Sequence, residues 1–219
     1  MKKLNGLIFL IIFPLSLCAQ EKINQFNSQG ERHGIWKKTY NNGNLRYIGT
    51  FENGKEVGEF KYYSEHNPKH PSIIKTFDSN GVAVVKFYSE KGILESLGHM
   101  QQRSRIGKWV YYSKDGVTVI AEEHYEQGEL DGQVITYYPN GKPTEIFNYK
   151  KGKLHGLAKR YSDEGILLDE VRYENGKRNG LAKYYNTKGE LLYSGFYAND
   201  LKVGNWKYTK DGKRDSISN

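Results

Sequence analysis

The sequence predicts an all-β protein, an elongated single-sheet antiparallel meander of tandem β-hairpin repeats, and three observations predict it. A glycine recurs at Gly34, Gly58, Gly107, Gly132, Gly156, Gly180 and Gly204, in steps of 24, 49, 25, 24, 24 and 24 residues, the 49 being one skipped beat. Self-similarity at such a period marks a repeat architecture. Each period carries two turn signals, separated by runs of five to eight residues rich in Tyr, Val, Ile and Leu, which is strand composition. No segment shows a sustained helical apolar period.

Residues 1–19 read as a signal peptide: Lys2 and Lys3 precede an apolar run from Leu7 to Leu17, and Ala19 supplies a small residue for cleavage. The run is too short to span a membrane. A lipoprotein reading through Cys18 wants a small residue where Leu17 stands, so ordinary cleavage is the better reading. Residues 20–27 form a short N-terminal segment, 28–215 the repeat array, irregular at 64–106, and 216–219 a tail. Export places the protein in the periplasm, at the outer membrane or outside the cell. Cys18 is the only cysteine, so no internal disulfide can form and packing alone holds the fold. The chain carries a net charge of +8, and removing a signal with two lysines leaves 8 − 2 = +6. The 33 basic and 25 acidic residues are interspersed without a basic block, which with export argues against nucleic acid as a partner.

Within each unit one turn is of the type "ENGK" (52–55, 174–177) or "EQGE" (126–129). The other follows a tyrosine, as in "YSKDG" (112–116), "YPNG" (138–141) and "YNTKG" (185–189). Both are hairpin chemistry, because glycine takes positive φ without steric cost. Each unit is thus one hairpin. About sixteen strands at ~4.8 Å each span ~75 Å, with contacts mainly between neighbouring units.

Two aromatic series keep the period. Tyr63, Tyr112, Tyr137, Tyr161 and Tyr185 lie five residues after marker glycines; Phe51, Phe77, Tyr125, Tyr149, Tyr173 and Tyr197 fall between them, with Met100 in the same slot. The tyrosines are expected to form cross-strand ladders. Two residues after each marker glycine come Trp36, Phe60, Trp109, Val134, Ala158, Ala182 and Trp206; tryptophan falls near both ends and at the irregular middle, and the larger residues at the ends fit a capping role. One position further, Lys37, Lys61, Lys159, Lys183 and Lys207 fall on the opposite, wet face. The third unit lacks its second glycine, with Val85 near that place. Before it, "SEHNPKHPSIIK" (64–75) carries Pro68 and Pro71 and reads as a bulging loop holding His66, Lys69 and His70.

The stretches "YENGKRNGLAKYYNTKGELLYSGFY" (173–197) and "FENGKEVGEFKYYSEHN" (51–67) resemble MORN repeats, in the variant branch common in bacteria. The resemblance covers about seven units and implies a hairpin array serving as a scaffold, a membrane-surface binder or a protein-interaction segment. Proteins of that branch are often labelled antitoxins, and an antitoxin-like neutralising partner is one role it implies. An export signal sits badly with a cytosolic toxin.

Chemistry is sparse. There is no G-x-S-x-G elbow, phosphate loop or dinucleotide fingerprint. The adjacent acids Glu122–Glu123 and Asp169–Glu170 fall in strands and point to opposite faces. His66 and His70 lack a third ligand and a helix to align them, and His33 and His155 belong to the repeat pattern. No catalytic, metal or cofactor site is expected, and the chain is read as a non-enzyme. The leading role is a scaffold binding another protein at the cell envelope. The alternatives are a glycan or cell-wall binder, suggested by "GKWVYYSKDG" (107–116), and an anionic-lipid binder using the lysine row, where each lysine contributes about 1 kcal/mol. Val110 and Ile135 interrupt that row. Candidate contact residues are Tyr63, Tyr112, Tyr137, Tyr161 and Tyr185, with His66, Lys69 and His70 of the proline loop; packing competes for the tyrosines. Edge strands at either terminus could pair with a second copy.

Overall fold

In the computed structural model, which describes residues 22–210 and 213–215, the turn residues set the architecture. Asn53–Gly54, Gln127–Gly128, Lys151–Gly152, Asn175–Gly176 and Asn199–Asp200 all have positive φ at both positions. That is the type I′ hairpin turn, whose twist matches that of the strands it joins. The alternate turns place one glycine in the left-handed region. At Tyr138–Lys142, Gly141 N–H donates to Tyr138 O (2.9 Å) and Tyr138 N–H donates to Lys142 O (2.8 Å).

The strands are β1 (Gln25–Phe26), β2 (Arg32–Thr39), β3 (Leu45–Glu52), β4 (Lys55–Tyr63), β5 (Pro71–Phe77), β6 (Val82–Tyr88) and β7 (Leu94–Gln101). Next come β8 (Ser104–Tyr112), β9 (Val119–Glu126), β10 (Glu129–Leu130), β11 (Gly132–Tyr137), β12 (Pro143–Lys150), β13 (Lys153–Leu154) and β14 (Gly156–Tyr161). The array closes with β15 (Leu167–Glu174), β16 (Lys177–Tyr185), β17 (Leu191–Ala198), β18 (Leu201–Lys210) and β19 (Lys213–Asp215). They form one 19-stranded sheet in which every pairing is antiparallel and local in sequence. β9 pairs with both β10 and β11, and β12 with both β13 and β14, so each of these pairs continues one line broken at Asp131 or His155. No helix occurs among the described residues. The expected signal peptide and residues 216–219 lie outside them.

The skipped beat is filled. Ala83, not Val85, takes the marker position, pairing with Phe77 and Met100 as Gly34 pairs with Phe51. The seven marker glycines have positive φ, from 61° at Gly107 to 118° at Gly180, whereas Ala83 does not, and β6 pairs with β5 without a bulge. The expected loop 64–75 is also shorter than read. Pro71 opens β5, opposite Tyr63, at a strand start where its missing N–H is tolerated.

One face carries the core. A single row crosses the sheet through Trp36, Gly49, Phe60, Val85, Gly98, Trp109, Val134, Phe147, Ala158, Val171, Ala182, Gly195 and Trp206, with Lys75 and Glu123 in the remaining places. Phe60, Val85 and Trp109 are fully buried. Their packing follows a rule of volume. A Cβ on Gly49, Gly98 or Gly195 would lie 2.4, 2.2 or 2.3 Å from the ring of Phe60, Trp109 or Trp206, eleven residues later. Where that earlier position holds Phe147 or Val171, the later one shrinks to Ala158 or Ala182. Trp109 and Trp206, like Phe60, thus fill the space a glycine leaves, whereas Trp36 stands at the N-terminal end with Gln25 in the place eleven residues earlier. Cations lie over the rings: Arg32 over Phe51 (4.0 Å), Arg105 over Trp109 (4.4 Å), Arg178 over Tyr197 (4.3 Å) and Lys202 over Trp206 (4.2 Å). Each such contact contributes about 0.5–2 kcal/mol and shields the open side of a one-layer core.

Both margins of the sheet are stitched from unit to unit. The N–H of Gly54, Gly128, Gly152 and Gly176 donates to the carbonyl of Arg32, Arg105, Leu130 and Leu154, at 2.8–2.9 Å. On the other margin, Asn67 and Asn140 amides donate to Glu90 O and Asp163 O, both at 2.8 Å. At the N-terminal edge the two-residue β1 and Asn24 cover part of β2. Asn24 imitates a strand: its N–H donates to Ile35 O, its Nδ2 to Lys37 O, and its Oδ1 accepts from Lys37 N–H. Covering an edge in this way removes a template for pairing with another chain.

Candidate functional site

Strand alternation carries every second side chain to the outer face, away from the core. Its central row reads Lys37, Ile48, Lys61, Ile74, Lys86, Leu97 and Val110 from β2 to β8, one residue per strand in direct register. It continues through Glu122, Ile135, Ile146, Lys159, Glu170, Lys183, Ser194 and Lys207. The five lysines expected on one face are there. Acids meet three of them: Glu59 lies 2.9 Å from Lys61, and Glu170 lies 4.0 Å from Lys159 and 2.9 Å from Lys183. Exposed pairs of this kind contribute at most about 1 kcal/mol. Their effect is on the pattern of charge the face presents.

The candidate tyrosines occupy the adjoining row. Tyr63, Tyr161 and Tyr185 follow Lys61, Lys159 and Lys183 by two residues; Tyr112 and Tyr137 follow Val110 and Ile135. Each sits where the register shifts at a bulge, and each is half-buried. Burial raises the phenol pKa of Tyr137, with the Glu122 carboxylate adding to it, and of Tyr185, where Lys183 opposes it. None of these five rings takes part in a ring–ring contact among the described residues. The expected ladder runs through other tyrosines on the core face: Tyr47–Tyr62 (6.1 Å), Tyr184–Tyr193 (4.5 Å) and Tyr193–Tyr208 (5.8 Å). The doublets Tyr62–Tyr63, Tyr111–Tyr112 and Tyr184–Tyr185 explain the exchange, because alternation sends the first of each pair inward and the second outward. The second aromatic series does pack with the core, as Phe51 against Phe60 and Tyr197 against Trp206, both at 5.1 Å.

His66, Lys69 and His70 lie in the turn between β4 and β5, apart from the tyrosine row. The His70 ring packs on Gly92 of the next turn, where an added Cβ would lie 3.0 Å from its Cγ. No group of three or more metal-capable side chains occurs among the described residues. A shallow trough of about 600 Å³ opens beside this margin, lined by Ser89, Glu90, Ile93, Glu95, Tyr112 and Ser113.

The paired acids separate as expected. Glu122 faces outward and Glu123 inward, where it accepts hydrogen bonds from Tyr111 and Tyr125 (2.6 Å), while Arg105 donates to both hydroxyls. Burial and this carboxylate push the Tyr111 phenol far up. Asp169 faces inward against Arg160 (2.9 Å), and its burial outweighs the guanidinium and raises its pKa. These groups satisfy one another and leave no reactive pair.

The sequence reading missed the apolar end of the outer face. Phe196 is 56% exposed and Leu201 71%, beside exposed Leu157, Leu181 and Val203. The signal was present in the terminal hairpin, where Ala198 and Leu201 replace the charged pairs Glu52/Lys55, Lys150/Lys153 and Glu174/Lys177 of earlier hairpins.

Three stretches, 32–53, 130–151 and 154–176, match the family model described as MORN repeat variant. Comparison with curated protein sequences finds no match. Among solved structures, the chain is similar to a mutant of S. aureus TarM in complex with Fondaparinux, alpha-GlcNAc-glycerol and UDP, at 13% identity and a TM-score of 0.26. That likeness covers 61% of this chain and only 21% of the TarM chain, and is too slight to bear on fold or role. The hairpin that recurs along the whole sheet makes this a β-hairpin repeat protein, and three of its stretches are similar to the MORN repeat variant, a likeness that suggests a repeat-based binding or scaffold role.

Proposed function

We propose that the chain is an exported binding and scaffold protein that holds another protein against its outer sheet face at the bacterial cell envelope. One observation carries the reading: five tyrosines repeat in one row of the outer face, beside lysine or a branched apolar residue, outside the aromatic core that stabilises the sheet. Tyrosine supplies large amphipathic contact area at low entropic cost, and a sheet face is a recurring recognition surface. The basic, apolar and small-residue pattern of residues 1–19 supports export.

The test is capture from envelope extract with the chain as bait, set beside the variant Tyr112→Ser/Tyr137→Ser/Tyr161→Ser. Loss of the captured protein with an unchanged unfolding curve is the expected result. Undiminished capture contradicts the proposal. Glycan-array binding lost in the same variant would assign the row to sugar instead. Flotation with anionic vesicles, lost on Lys61→Glu/Lys86→Glu and sensitive to salt, would assign the face to lipid.

A further inference from the structure

We infer that the outer face of the last hairpins docks an acidic amphipathic helix of the partner protein, an inference that rests on the binding role proposed above. Leu157, Leu181, Phe196 and Val203 lie in one row across β14 to β18, with Leu181 opposite Phe196, Phe196 opposite Val203, and exposed Arg172 of β15 standing between Leu157 and Leu181. All four are more than a third exposed. In earlier hairpins the same row alternates half-buried Ile35, Val57, Val84 and Ile106 with Thr50, Thr76 and His99, so exposure of the apolar side chains, rather than their presence, sets this end apart.

Lysines flank the stripe on both sides. Lys159, Lys183 and Lys207 stand two residues along the strands in one direction, and Lys153 and Lys177 stand on the other side. Two residues of strand cover ~6.7 Å, so the two lysine lines lie ~13 Å apart, the width of an α-helix with its side chains. Within each line a lysine recurs every second strand, ~9.6 Å, close to the ~10.5 Å between helix positions i and i+7. The stripe crosses four strand spacings, ~19 Å, or about 13 residues of helix.

Charge selects the occupant. A second copy of this face would set lysine against lysine, and like charges across an interface are repulsive. Glu170 and Glu174 alternate with the lysines of the two lines, so a uniformly anionic bilayer would press on both, whereas helix glutamates seven residues apart fall on the lysines and pass over the acids. A helix with an apolar ridge and glutamates on both flanks meets the stripe and the lysines alone.

The probe is a designed helical peptide of about 14 residues, with leucine at i, i+4, i+7 and i+11 and glutamates on both flanks. It is titrated into the protein by fluorescence anisotropy. Binding is expected, weakened about tenfold or more by Phe196→Asp and, more mildly, by Phe196→Ser, with unchanged thermal unfolding. Lys177→Glu/Lys183→Glu should weaken it comparably, and a peptide with lysine in place of glutamate should restore it. No binding, or binding indifferent to Phe196→Asp, overturns the inference. So does sedimentation showing a dimer that Phe196→Asp dissociates, or vesicle flotation that Phe196→Asp abolishes while the peptide fails to bind. If envelope capture persists in Phe196→Asp and is lost in the tyrosine variant, the binding role stands and this docking site falls.

Discussion

The substitution Gly98→Val drives a side chain into the Trp109 indole. A Cβ at position 98 would lie 2.2 Å from Cδ2, 2.3 Å from Cε2 and 2.5 Å from Cγ of that ring. Carbon atoms pack at about 3.5–4.0 Å, so the ring must retreat by more than ~1 Å. Trp109 is fully buried, and its indole N–H donates to His99 O at 3.1 Å. Overpacking should cost about 1–3 kcal/mol, and the strained hydrogen bond about 1 kcal/mol more. Trp109→Ala alone should cost about 3–5 kcal/mol through the cavity it opens. The chain has its own second solution at this spacing, Val171 beside a fully buried Ala182. Gly98→Val/Trp109→Ala copies that solution, so the double variant should be less destabilised than the sum of the singles by about 1–3 kcal/mol. Urea unfolding followed by far-ultraviolet circular dichroism, at constant m-value, measures all three. Strict additivity would refute the claim that the two positions share one volume.

Other outcomes follow from the same structure. Gly107→Ala should cost about 1–2 kcal/mol although nothing lies within 4 Å of the added Cβ, because φ is +61°. Ala83→Gly, at the same place in a unit without a bulge, should cost only about 0.5–1 kcal/mol of backbone entropy plus lost packing; denaturant midpoints compare the two. Stability should fall above pH ~10, the unfolded tyrosine value. The raised phenol pKa values of Tyr62, Tyr111 and Tyr184 keep the folded state protonated while the unfolded chain ionises, so the stability they contribute is present below that pH and lost above it. Ultraviolet titration of phenolate against unfolding midpoints checks this, and a flat profile from pH 9 to 11.5 opposes it. Asn24→Ala should cost about 1 kcal/mol and open the β2 edge, seen as concentration-dependent association in sedimentation.

The period and the turn chemistry made the fold legible, because left-handed glycine and Asn-Gly pairs act through local backbone geometry. The lysine row was legible for a similar reason, since alternation along a strand needs only counting. Two features depended on contacts across strands and escaped. The glycine-to-aromatic match, Gly49 to Phe60, Gly98 to Trp109 and Gly195 to Trp206, joins residues eleven apart whose proximity the bulges create. The assignment of core and surface tyrosines turned on doublets such as Tyr184–Tyr185, where a fixed offset from glycine selects the outward member. Ala83 escaped because it keeps the register without the glycine that announces it, and Asn24 because its side chain extends the cover that the two-residue β1 begins over β2.

Small-angle X-ray scattering tests the central claim most directly: hairpins add along one open sheet and share cores only with their neighbours. About sixteen strand spacings of ~4.8 Å give a ribbon ~75 Å long, with a radius of gyration of about 23 Å. A compact chain of the same length would give about 17 Å. A value near 23 Å with an extended, skewed distance distribution is predicted; one near 17 Å with a symmetric distribution would contradict the account.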